Sequence, residues 1–143
     1  MTMKKRLIKE IAVICCIIIV TICCVSCGNS NEIYFDMESQ SVVRCNSSIL
    51  NLYIKSKDNK DYLHFSVLQG EKASIALSIK ELNKKYSIDI TSTFIDLKNF
   101  KLRPETEYEI ENHSNGDTPN GKLTIKTDKN SSVIYADKTS CQF

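Results

Sequence analysis

The chain has no tryptophan, four glycines, two prolines and two histidines in 143 residues, and 8% of it is aromatic. Without an indole, any sugar-stacking platform would have to come from Tyr53, Tyr62 or Tyr135. The few glycines form no phosphate-cradling loop. His64 and His113 stand in no pattern with Ser, Cys or carboxylates that reads as a catalytic triad or a metal motif. We therefore expect no catalytic residues, no metal and no cofactor, and read the chain as non-enzymatic. Internal repeats and low-complexity tracts are absent too.

Charge is nearly balanced, with 19 basic against 17 acidic residues. Four of the basic residues, Lys4, Lys5, Arg6 and Lys9, precede an apolar run, with Glu10 beside them. Beyond residue 26 the count is 15 basic against 16 acidic, a net charge of −1. That remainder lacks the excess of Lys and Arg that nucleic-acid binding draws on, so no nucleic-acid partner is expected.

The apolar run, Ile11 to Val25, is uncharged and spans 15 residues. Behind a positive segment, that length matches the core of a signal peptide. A spanning helix needs about 20 such residues, and the run would have to borrow its flanks to serve as one. Five of the seven cysteines lie in or just after it, at positions 15, 16, 23, 24 and 27. Paired Cys15-Cys16 and Cys23-Cys24 lack the two-residue spacer of a zinc or thioredoxin-type site.

The sequence Cys24-Val25-Ser26-Cys27-Gly28 resembles the lipobox of bacterial lipoproteins. This resemblance implies cleavage after Ser26 and acylation of Cys27, with Cys15, Cys16, Cys23 and Cys24 leaving in the signal peptide. The expected organisation is a signal peptide over residues 1–26, a lipidated tether over 27–31 and a β-sandwich domain over 32–143. The expected location is the cell envelope, anchored to a membrane through Cys27, with Gly28 resembling outer-membrane sorting toward the periplasm or cell surface. Cys45 and Cys141 are then the remaining thiols, an even number in an oxidising compartment. We expect them to pair across 96 positions, which the loop-entropy argument values on the order of 4 kcal/mol.

From Glu32 onward, short alternating segments are separated by polar turns. "ILNLYIK" sets Leu50, Leu52 and Ile54 on one face, and "YLHFSVL" sets Leu63, Phe65 and Val67 inward. With the "SKDNKD" turn between them, they read as a hairpin. Further candidate strands are "EIYFDM" (32–37), "SVVRC" (41–45), "YSIDI" (86–90), "STFIDL" (92–97), "EYEIEN" (107–112), "KLTIKT" (122–127) and "SVIYA" (132–136). Ser78 and Glu81 form a capping-box pattern that predicts one short helix over about residues 79–85. Seven to nine strands with frequent turns predict an all-β, antiparallel immunoglobulin/fibronectin-like sandwich.

Leu102, Pro104, Thr106 and Tyr108, followed by Leu123 and Ile125, resemble the end of a fibronectin type III domain. That resemblance implies a corner tyrosine whose ring is buried and whose hydroxyl returns to upstream backbone. The tryptophan and the cysteine that related domains carry are missing here.

Glu105, Glu107, Glu109 and Glu111 alternate, so one strand would present a row of carboxylates about 7 Å apart. The row offers a site for a cation or a basic partner. Alternatively it is neutralised across the hairpin: a register pairing Tyr108 with Ile125 and Ile110 with Leu123 sets Glu107 opposite Lys126 and Glu111 opposite Lys122. The loop that follows carries His113, Asn115 and Asp117, and its length of about nine residues makes it a candidate recognition element. These residues are the candidate partner-binding set. The "IKTDKNSSVI" ending, Ile125 to Ile134, and the chain's size resemble immunity lipoproteins, which implies a toxin as partner, delivered for example by type VI secretion between bacteria. The alternatives are an accessory lipoprotein of a secretion or envelope assembly and a glycan-binding surface module.

Overall fold

The computed structural model describes residues 31–98, 100–114, 116 and 121–141. The signal-peptide segment, Cys27 with the rest of the tether before Asn31, and the loop residues Asn115, Asp117 and Pro119 lie outside the described residues.

Nine strands are present among the described residues: β1 (Ile33–Asp36), β2 (Ser41–Arg44), β3 (Asn51–Ser56), β4 (Asp61–Val67), β5 (Ala76–Ser78), β6 (Tyr86–Ser92), β7 (Glu107–Asn112), β8 (Gly121–Thr127) and β9 (Val133–Ala136). They form two antiparallel sheets, β1-β2-β5 and β6-β4-β3-β7-β8-β9. The order β1-β2-β5 against β3-β7-β8 is that of an immunoglobulin-type sandwich, and β4 with β6 widens one edge of the larger sheet while β9 widens the other. Side chains facing inward from both sheets make one core. Ile33, Phe35, Val42 and Leu77 come from the smaller sheet, and Leu52, Ile54, Leu63, Phe65, Ile110, Leu123 and Ile125 from the larger.

Each strand follows from its period of two. In β7 the buried positions are Tyr108, Ile110 and Asn112, and the glutamates between them face outward. The β3–β4 hairpin pairs Ile54 with Leu63 and Leu52 with Phe65, as the alternation requires. The β7–β8 register is the one that pairs Tyr108 with Ile125 and Ile110 with Leu123. A slip by one residue would turn these apolar side chains to water, so burial selects it.

Four expectations are corrected. Residues 79–85 form no helix, since the chain leaves β5 at Ser78 and the Ile79 N–H donates to the Gln40 carbonyl at 3.2 Å. The Ser78 hydroxyl accepts the Lys80 N–H at 3.1 Å and so closes a local turn in place of a helix cap. Packing of Ile79 into the core outweighs the preference of so short a segment for helix. The segment "STFIDL" does not continue as a strand, because the Ser92 hydroxyl accepts the N–H groups of Phe94 and Ile95 and turns the chain. Leu50 precedes β3 and is exposed. Glu105 also lies outside its expected strand, at a positive φ of 49° in the turn before β7.

The two ends of the sandwich differ in what they carry. At one end the Asn31 carbonyl accepts the Asn112 side-chain amide at 2.9 Å. Asn31 also lies so close to Gly121 that a Cβ there would fall 1.8 Å from the Asn31 oxygen. At the other end, Gln40 closes the β1–β2 turn. Its side chain donates to the Val133 carbonyl at 3.1 Å and accepts the Val133 N–H at 2.7 Å, standing in for a strand neighbour. Cys45 and Cys141 are joined with a Cα–Cα separation of 5.6 Å, tying the end of β2 to the C-terminal tail.

Candidate functional site

The outward face of the larger sheet carries the expected carboxylates in register with bases and rings. One transverse row runs Asp89, His64, Tyr53, Glu111, Lys122 across five strands. The His64 ring stacks on Tyr53 with centroids 4.3 Å apart and planes within 2°. The His113 ring meets Tyr53 edge-on at 4.6 Å, and its Nε2 lies 2.8 Å from Glu111. Lys122 Nζ donates to Glu111 at 2.6 Å. The Lys122 ammonium, then the His113 contact, hold the Glu111 carboxyl down to about 2. Glu107 is bracketed by Lys57 and by Lys126, the latter at 3.2 Å, and its carboxyl is lowered by both. Lys126 in turn sits 5.5 Å over the Tyr135 ring.

Three of the four glutamates therefore form one row, and two of the three have bases against them. Glu109 keeps a looser contact to Lys122 at 3.9 Å. Tyr53, Tyr62, Glu109, Glu111 and His113 line a cavity of about 240 Å³ beside this row. Tyr53, which lines it, already has one face covered by the His64 ring. Cross-strand neutralisation is the reading of the carboxylates that the geometry matches. Among the described residues no group of three His, Cys, Asp or Glu side chains converges as a metal site.

The corner tyrosine is where the sequence places it. The Tyr108 hydroxyl accepts the Arg103 backbone N–H, five residues upstream, at 2.8 Å. It also donates to buried Asp61 at 3.0 Å. Burial raises the phenol, which stays protonated and able to donate. Asp61 further accepts Ser92 Oγ at 2.6 Å and Arg103 Nε at 3.0 Å, and Arg103 reaches on to Asp58 at 2.7 Å. This charged network binds β3, β4, β6 and β7 at one end of the sheet and is structural in character.

A second surface was invisible in the sequence. Lys80, Leu82, Leu97, Lys98 and Lys101 gather around the buried ring of Phe100 and enclose a groove of about 590 Å³. Leu82 and Leu97 expose 37% and 56% of their area. Among the described residues, Lys80, Lys98 and Lys101 make no ion pair, and three cations thus stand together against the single acid Glu81. No sequence motif could have signalled the groove, because positions 80–82 meet positions 97, 98, 100 and 101 only through the fold.

No protein-family model matches the chain, and neither a curated protein nor a solved structure matches it.

Proposed function

We propose that the chain is a non-enzymatic, lipid-anchored envelope protein that binds another protein, with a toxin delivered by a neighbouring bacterium as the leading partner. The observation that supports this reading is an exposed apolar patch ringed by lysines. The chain enters the sandwich at Asn31, against Asn112 and Gly121. Exposed Leu82 and Leu97 gather with Lys80, Lys98 and Lys101 around the buried ring of Phe100, which packs on Phe65 of β4. Exposed apolar side chains ringed by charge are the usual make-up of a protein-docking surface.

The test is intact mass and metabolic lipid labelling of the native protein beside Cys27→Ala, followed by capture with the toxin encoded next to its gene. A diacyl or triacyl mass beginning at Cys27, together with toxin capture and neutralisation, supports the reading. An unprocessed chain that retains Met1 and neither binds nor neutralises such a toxin overturns it. A glycan-binding module fits less well, since His64 already occupies a face of Tyr53.

A further inference from the structure

We infer that the groove lined by Lys80, Leu82, Leu97, Lys98, Phe100 and Lys101 receives an acidic, partly apolar segment of the partner protein. The inference rests on the protein-binding reading above and names the chemistry of that partner. Three cations line the groove against one acid, Glu81. They are a local excess in a domain whose charge beyond residue 26 is −1. On the outer face of the larger sheet, by contrast, Lys122 is answered by Glu111 and Lys126 by Glu107. Lysines left unanswered around an apolar floor repel one another, and an approaching carboxylate relieves that repulsion. They also draw an acidic partner into the groove by long-range attraction.

The apolar part of the groove sets the second requirement. Phe100 is buried as its floor, while Leu82 and Leu97 stand at its sides with large areas in water. A purely polar acidic chain would leave those areas wet. A segment interleaving Asp or Glu with apolar side chains would satisfy both features. An anionic membrane has the same two properties, but the floor of the groove is the buried ring of Phe100, a recess that a narrow peptide segment enters more readily than a flat bilayer.

The experiment pans random 16-residue displayed peptides on the full chain extracted in detergent. The selected peptides are then titrated against the Lys98→Glu/Lys101→Glu variant and a Lys72→Glu/Lys129→Glu control of equal net charge. Thermal melts establish that all three chains are folded. The expected result is enrichment of peptides mixing Asp or Glu with apolar residues. Their affinity should fall about tenfold or more in the groove variant, and less than about threefold in the control, and should weaken as salt is raised. Enrichment of neutral or basic peptides, equal loss in both variants, or no enrichment overturns the inference. So does capture of the non-acylated chain by phosphatidylglycerol vesicles without any peptide binding. Intact mass of the same preparation reads acylation of Cys27 separately. A chain lacking lipid that still selects acidic peptides overturns the anchor alone.

Discussion

The Tyr108 hydroxyl donates to Asp61 Oδ2 at 3.0 Å, joining the corner of β7 to the first residue of β4 inside the sandwich. Both side chains are buried. The bond therefore has no water to replace it when it is lost.

Tyr108→Phe keeps the ring and deletes that donor, along with the acceptor for the Arg103 N–H. Leaving a buried carboxylate one partner short costs about 1–3 kcal/mol. Urea unfolding of the variant beside the native chain measures it, with no change expected in the slope. A loss below about 0.5 kcal/mol would show that Arg103 and Ser92 satisfy Asp61 without help.

Gly121→Ala tests the closeness of the chain entry to the β7–β8 hairpin. The added Cβ meets the Asn31 carbonyl oxygen at 1.8 Å and its carbon at 2.6 Å, both backbone atoms that cannot rotate away. Displacing them disturbs the Asn112 amide bond to Asn31. Overpacking of this kind costs about 1–3 kcal/mol. Protection of the amides around residues 31–33 in hydrogen exchange should fall more than protection in β3. An unchanged melting temperature would refute the contact.

Breaking the covalent tie should matter more than either. Cys45→Ser/Cys141→Ser opens a link between residues 96 positions apart, and the chain-entropy argument gives a loss on the order of 4 kcal/mol. The native chain in reductant should match the double variant, and both should melt well below the oxidised protein. Equal melting of oxidised and reduced chains is the outcome that would remove the bond from the account.

Acid sensitivity follows from carboxyls held low in the fold. Arg103, and after it Ser56, lower Asp58. Lys122, and after it His113, bring Glu111 from the ordinary 4.5 to about 2. A carboxyl depressed in the native state stabilises it above its unfolded value, and that contribution fades as pH falls through the folded value. Stability should therefore be level near neutrality and decline from about pH 4.5 toward pH 2. Glu111→Gln should flatten that part of the curve. Identical acid profiles for variant and native chain would show that the Lys122 contact contributes nothing in solution.

Much of the fold was legible because strands advertise themselves. The pattern "EYEIEN" predicts β7 to the residue, and its pairing with "KLTIKT" follows from one requirement, that Tyr108 and Ile110 be dry while Glu107 and Glu111 meet lysines. β5 was not legible. Three residues are too few to show a period, and its neighbours Ser78 and Glu81 imitate a helix start. The end of β6 was likewise hidden, since only the fold reveals that the Ser92 hydroxyl turns back onto the backbone.

By itself the sequence determined the alternation of faces, because that depends on residue type and spacing along the chain, while the candidate pairing of Cys45 with Cys141 and the corner role of Tyr108 followed from resemblances to lipoproteins and to fibronectin type III domains. Only the tertiary structure decided that Glu105 leaves the carboxylate row, that Asp61 lies against Arg103 and Tyr108, and that Lys80 shares a groove with Lys98 and Lys101. These relationships join residues far apart in sequence. They are set by how the two sheets close over one core, and spacing along the chain carries no record of that closure.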